Sequence, residues 1–298
     1  MSIRYAYLHG FASSSLSAKG QALRRVFDGL GRTLHLPDLN YPSFAELSYT
    51  GMLEAFDRFD RQLDAGRSPR SEPARWRLIG SSMGGYLAAR WAALHPERVD
   101  RLLLLCPAFD FAQRWPQLLG DKAFADWERA GSLPMPGPAG APVEVHWGLV
   151  EDGRQHPPRP AVPCPTTIIH GTRDTVVPID SSRSYIAEHP EVELIEVDDD
   201  HTLMASLATL AARAQHWLVD PPRRLSWDFF GADALGTAEH FRVHLDEFLV
   251  REDLGGCETG VETPTPTPTS GEQATTWCRC PERLLPVIGP ALRPHRVD

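Results

Sequence analysis

The sequence predicts an α/β protein: a doubly wound, mostly parallel sheet over residues 1–220, followed by a small α+β domain over 223–298. Three observations carry that expectation. Short apolar runs alternate with helix-type segments through the first two-thirds of the chain, the rhythm of a sheet covered on both faces. Several of those runs lack polar alternation, as strands buried on both sides do. At Pro221-Pro222 the rhythm stops and a second pattern begins, as at a boundary between independent units.

Strands are expected over 3–8, 33–36, 76–79, 101–106, 166–169 and 192–197. Helices are expected over 44–63 and 86–94, the latter stopped by His95-Pro96, and right-handed crossovers would wind the set into one sheet. Residues 109–165 are rich in Pro, Gly and aromatics and too long for a simple connection, so they are read as a lid or binding element. A further helix is expected to end near Leu218.

The last segment reads β-α-β-β-α-β, the order of a ferredoxin-like sandwich. Leu225, Trp227 and Phe229 alternate as a strand, while Ala238, Phe241, Leu245 and Phe248 follow helical spacing. Strands over 258–262 and 274–279 flank the Thr-Pro repeat 263–269, read as an exposed hairpin tip. A short helix with Pro281 in its first turn and a terminal strand over 294–297 complete the order.

Composition narrows the function. The 298 residues are 42% apolar and 23% charged, ordinary for a globular protein, with a net charge of −9. No basic field exists to displace counterions, so nucleic acid is excluded as a partner. Met1-Ser2-Ile3-Arg4-Tyr5 runs straight into a strand, so no signal peptide is expected, and no apolar run is long enough to span a bilayer. Five cysteines make no disulfide framework. The expectation is a cytoplasmic protein without a membrane partner.

The chemistry centres on Gly80-Ser81-Ser82-Met83-Gly84-Gly85, a G-x-S-x-G with Ser82 in the middle. It follows a strand and opens a helix, the strand–turn–helix setting of a nucleophile elbow. A turn that tight excludes side chains two residues either side of the serine, hence glycine at both places. A serine hydroxyl needs a base and an orienting carboxylate. Asp174, just past the strand ending near Ile169, is the expected acid, and His201, just past the next strand, the base. Asp198, Asp199 and Asp200 remain alternative acids, read otherwise as a solvated turn, while His170 is read as packing locally. The oxyanion would bind the backbone N–H groups of Met83, after the nucleophile, and of Phe11, in the loop His9-Gly10-Phe11 after the first strand.

His9-Gly10-Phe11, the elbow, His170-Gly171-Thr172-Arg173-Asp174 and His201 together resemble the α/β-hydrolase superfamily. Within it, Tyr7 through Ser14 followed by Ser17-Ala18-Lys19-Gly20 resembles small bacterial esterases of the YqiA type, over roughly residues 3–218. The chain departs from the smallest of these by its long segment before Asp174, and the C-terminal segment matches nothing in the resemblance. The resemblance implies esterase activity without a metal or organic cofactor.

Trp115, Phe124 and Trp127 are expected to bind substrate as an apolar acyl pocket over Ser82, with ordinary lid core as the competing reading. Cys278-Arg279-Cys280 with Cys257 lacks a fourth ligand at zinc-like spacing, so no metal is expected. The expected reaction is cleavage of a small or acyl-chain carboxylic ester by a serine hydrolase. The rivals are an acyl-thioesterase on the same residues and a non-catalytic binding or assembly protein using the C-terminal module.

Overall fold

The computed structural model describes residues 2–65, 72–263 and 273–298. They fall into two compact units, Met1–Ala214 and Gln215–Asp298.

The first unit runs β1 (Ile3–Leu8), α1 (Ala18–Gly29), β2 (Leu34–His35), α2 (Tyr49–Asp64), β3 (Arg75–Ser81), α3 (Met83–Leu94) and β4 (Val99–Leu105). It continues through α4 (Phe111–Leu119), α5 (Asp121–Ala130), β5 (Ser132–Pro136), β6 (Pro142–His146), α6 (Gly148–Gly153), β7 (Thr166–Gly171), α7 (Asp180–Glu188), β8 (Glu193–Val197) and α8 (Leu207–Ala214). Six strands form one parallel sheet in the order β2-β1-β3-β4-β7-β8. Leu102 to Leu105 and Trp76, Leu78 and Ile79 have no exposed surface, which is why the two central strands carry apolar residues on both faces. Arg77, inside that pair, is accommodated by Asp100 on the neighbouring strand, its Nε donating at 2.6 Å. A lone buried guanidinium there would be costly.

Several boundaries differ from the sequence reading, each for a local reason. The helix expected from residue 44 begins at Tyr49, because Ser48 is extended and its hydroxyl caps Gly51 N–H. Phe44 and Leu47 are apolar because they pack in the core as loop residues. The fourth strand starts at Val99 and ends before Cys106, whose φ of 43° turns the chain out of the sheet. The 33–36 strand shrinks to two paired residues, Leu34 and His35.

The proline-rich stretch after β4 carries structure of its own: three short helices and an antiparallel β5–β6 ladder. A two-stranded ladder tolerates Pro134, Pro136 and Pro142 because each strand has a free edge. Gly140, at φ 85°, turns the hairpin.

The second unit opens with a helical turn over Gln215–Val219. It continues with β9 (Pro222–Phe230), α9 (Ala234–Arg251), β10 (Glu258–Glu262), β11 (Gln273–Pro281), α10 (Leu285–Leu292) and β12 (Arg296–Val297). The four strands form an antiparallel sheet in the order β10-β11-β9-β12. Leu225, Trp227, Leu245, Phe248, Cys278, Cys280 and Ile288 form its core. Pro222, expected at the linker, instead opens β9 and pairs with Pro281. The second helix starts later than expected, at Leu285, with Pro286 in its first turn. The terminal strand keeps only Arg296 and Val297. Apart from Thr263, the Thr-Pro repeat lies outside the described residues. Among the described residues no helix is long and apolar enough to cross a membrane.

Candidate active site

Ser82 stands between β3 and α3 at φ 55°, ψ −120°, a backbone state that costs a non-glycine residue about 1–3 kcal/mol. Its own peptide groups hold it there. Ser82 N–H donates to Leu105 O at 2.9 Å, and Ser82 O accepts from Ala108, Gly85 and Tyr86. The flanking glycines are steric requirements. A Cβ at Gly80 would lie 2.3 Å from Gly84 O, and one at Gly84 would lie 2.1 Å from Leu8 O. The elbow is thus pressed against the end of β1, and a Cβ at Gly10 would come within 3.1 Å of Ser82 Cβ.

The loops after β7 and β8 meet the same point. His201 Nε2 lies 3.0 Å from Ser82 Oγ, and His201 Nδ1 lies 2.6 Å from Asp174 Oδ2. The carboxylate only accepts, so Nδ1 carries a proton and the neutral ring offers its Nε2 lone pair to the Ser82 hydroxyl. The Asp174 side chain is fully buried, and its Oδ1 accepts from the N–H groups of Val176 and Val177 at 2.9 and 2.8 Å. Burial alone would push this carboxyl up. Hydrogen bonds from His170, His201 and the Val177 amide outweigh it and hold it well below the usual carboxylate range.

The other acids of the loop are engaged elsewhere. Asp198 pairs with Arg173 in solvent. Asp199 is buried and accepts from Asp200 N–H and Ser206 N–H, and Asp200 caps Thr202. They brace the loop that presents His201. Gly171 allows this loop to close on β7, since a Cβ there would meet Asp199 O at 2.4 Å.

His170, read from sequence as local packing, braces the acid. It is fully buried, with Nε2 2.8 Å from Val177 O and 3.3 Å from Asp174 Oδ2, and Nδ1 2.7 Å from Ser182 Oγ. Two acceptors facing Nε2 require the proton there, so Ser182 O–H donates to Nδ1. Cys106, His170 and Asp174 offer ligand atoms within 4.8 Å of one another. Asp174 already accepts from two amides and two imidazoles, so a cation would have to displace those bonds.

Phe11 is half-buried in the loop after β1, and Met83 is the first residue of α3. First-turn amides of a helix have no acceptor inside it. His9, which the sequence marked only as part of a His-Gly pair, shapes the Phe11 peptide. Its Nδ1 lies 3.0 Å from Gly10 O, and its Nε2 accepts from Leu39 N–H at 3.0 Å. With Gly10 O tied back to His9, the Phe11 N–H of a trans peptide points the opposite way. Burial pushes the His9 imidazole pKa down, keeping it neutral.

Lys19 was also missed. It is buried in α1 and donates to Ser81 Oγ at 3.1 Å, and burial pushes its pKa down. Only its place in the Ser17-Ala18-Lys19-Gly20 motif hinted at it.

The aromatic residues form one connected set. Trp115 meets the Phe11 ring at 5.6 Å and Trp127 at 5.2 Å. Trp127 meets Trp147 at 5.4 Å, and Trp147 meets Phe124 at 5.0 Å. Trp127 has no exposed surface and donates its indole N–H to Val145 O, so it ties α5 to β6. Trp115 joins α4 to the Phe11 loop, and its buried Nε1 has no hydrogen-bond partner among the described residues.

The chain is similar to known proteins in both sequence and fold. It is 28% identical over 178 residues to the pimeloyl-[acyl-carrier protein] methyl ester esterase of Chromobacterium violaceum, covering 49% of this chain and 70% of that enzyme. It is 31% identical over 131 residues to the monoacylglycerol lipase ABHD6 of Homo sapiens, covering 39% of this chain but only 36% of the lipase. Est1E from Butyrivibrio proteoclasticus, solved with ferulic acid bound, superposes with a TM-score of 0.58 at 16% identity, covering 74% of this chain and 88% of that one. Mouse alpha/beta hydrolase domain-containing protein 10 superposes at 0.56 and 21% identity, covering 72% of this chain and 88% of that one. The parallel sheet is therefore an α/β-hydrolase fold. Residues 4–214 match the family described as Uncharacterised protein family UPF0227, and the chain belongs to that family.

Proposed function

We propose that the protein is a serine hydrolase of carboxylic esters, with Ser82 as nucleophile, His201 as general base and Asp174 as the acid that orients it. One observation carries this reading: the unbroken contact from Asp174 through His201 to Ser82, at the C-terminal ends of three parallel strands. Open α/β sheets place their chemistry at that edge. The esterase and lipase named among its relatives agree with hydrolysis.

Ser82 Oγ attacks the acyl carbonyl as its proton passes to His201 Nε2. Asp174 stabilises the imidazolium. The Phe11 and Met83 amides bind the oxyanion, the first held out by the His9–Gly10 bond and the second at the positive end of α3. Collapse expels the alcohol, which takes the proton from His201. Water then attacks the acyl-enzyme with His201 again as base, releasing the acid and restoring Ser82. No cofactor enters these steps.

Trp115 is proposed as the pocket wall nearest the chemistry, because it packs on Phe11, with Trp127 and Phe124 behind it. A thioester would serve the same residues. We further propose that 1–220 acts as the hydrolase domain and 223–298 as a separate ferredoxin-like domain, supported by the strand order β10-β11-β9-β12. The test is hydrolysis of p-nitrophenyl esters and matching acyl thioesters of graded length, with Ser82→Ala as control. Turnover lost in the variant supports the reading. No turnover of either class by the wild type favours the non-catalytic binding protein.

A further inference from the structure

We infer that His240 and His244, on the outer face of α9, form a chelating site for a borderline divalent transition-metal cation such as Ni²⁺ or Zn²⁺. The two residues are one helical turn apart and both exposed, so their rings project from the same stripe of the helix. Their Nε2 atoms lie 3.1 Å apart, with ring centroids at 4.5 Å and planes at 87°. Two metal–nitrogen bonds of about 2.0–2.1 Å at tetrahedral to octahedral angles place their nitrogens roughly 2.9–3.4 Å apart. A cation would therefore bind without moving the backbone.

The proton placement favours the same conclusion. His244 Nδ1 lies 3.2 Å from Glu247 Oε2, and a carboxylate can only accept. The proton of neutral His244 therefore sits on Nδ1, and its Nε2 lone pair faces His240. A carboxylate behind a ligating imidazole is the usual way such a ring is oriented and made more basic. Without a cation, His240 must hold its own proton on Nε2 to complete the pair. On binding, that proton moves to His240 Nδ1 and both lone pairs face the metal.

The opposite face of α9 holds the site still. Ala238, Leu245, Phe248 and Leu249 are buried, so the chelate stands on an anchored helix and not on a loop. Two imidazoles select zinc, nickel or copper over magnesium or calcium, which take oxygen ligands. Two protein ligands leave the remaining positions to water, so the site is open.

Isothermal titration of the full chain with Ni²⁺, run beside His240→Asn/His244→Asn, tests the inference. Other nitrogen and sulfur groups, His201 included, are common to both proteins, so the difference between the isotherms reads this site alone. The wild type should bind one more equivalent of Ni²⁺ than the double variant, with unchanged helical circular dichroism in both. Glu247→Gln should weaken that equivalent by about tenfold, the lower end of the effect of losing such a carboxylate. Identical isotherms for wild type and double variant would overturn the proposal. A Glu247→Gln titration equal to wild type would overturn the role given to the carboxylate.

Discussion

Replacing Asp174 by Asn should abolish nearly all turnover while leaving the fold in place, and the geometry fixes the reason. Oδ1 accepts from two backbone amides, and Oδ2 faces His201 Nδ1 at 2.6 Å and His170 Nε2 at 3.3 Å. An asparagine has one oxygen to offer. Keeping both backbone bonds puts its carbonyl at the Oδ1 position and its NH₂ against His201. The flipped amide would set NH₂ against two N–H donors, leaving buried groups unpaired at about 1–3 kcal/mol each. The NH₂ group therefore donates to His201 Nδ1, the ring proton moves to Nε2, and the base faces Ser82 already protonated. The same tautomer inversion elsewhere costs about 10⁴ in turnover, about 5.4 kcal/mol at 1.36 kcal/mol per decade. The assay is kcat/KM on p-nitrophenyl acetate, with circular dichroism to confirm folding. A variant retaining more than a tenth of wild-type kcat/KM, with Asp198→Asn or Asp199→Asn crippled instead, would refute the assignment.

Gly84→Ala should destabilise the elbow, because the added Cβ meets the Leu8 and His9 carbonyls at 2.1 and 2.5 Å and backbone cannot yield cheaply. The expected loss is ~3 kcal/mol or more, a Tm drop of about 6–12 °C; an unchanged Tm contradicts the packing described. His9 stays neutral when folded because burial depresses its pKa, so the unfolded chain takes up a proton first as pH falls below about 6.5. Stability should therefore be lost on acidification through that range, by up to ~1.4 kcal/mol per pH unit from this residue. Urea midpoints from pH 7.5 to 5.5 should show a shallower slope in His9→Gln, and equal slopes would exclude His9 as the cause. Each CH₂ added to the acyl chain should improve kcat/KM by up to ~0.8 kcal/mol until the pocket fills, and Trp115→Ala should flatten that series. Trp127→Ala should instead cost about 3–5 kcal/mol of stability. Parallel losses on all chain lengths in Trp115→Ala would make it structural.

The parts of this protein legible in the sequence are those where sterics leave one choice. Gly80, Ser82 and Gly84 mark the elbow because a Cβ at either glycine would overlap backbone, and the apolar residues on both faces of β3 and β4 mark strands covered on both sides. What stayed hidden depends on contacts distant in the chain. Phe44 and Leu47 looked helical because a core-facing loop and a helix share apolar spacing, and only the Ser48 cap separates them. The β5–β6 hairpin was masked by prolines that an isolated ladder tolerates. His170 could not be separated from an ordinary core histidine, since its role depends on Asp174 and Ser182 closing around it. The Asp198-Asp199-Asp200 run was ambiguous until their separate partners were known.

The central claim is that Ser82 is a nucleophile activated by His201, and covalent labelling measures this without knowledge of the substrate. The protein should react with a fluorophosphonate probe at one site, and peptide mass spectrometry should place the adduct on Ser82. His201→Ala should slow the labelling by several orders of magnitude, and Ser82→Ala should abolish it. An unlabelled wild type, or an adduct that survives in Ser82→Ala, would contradict the account.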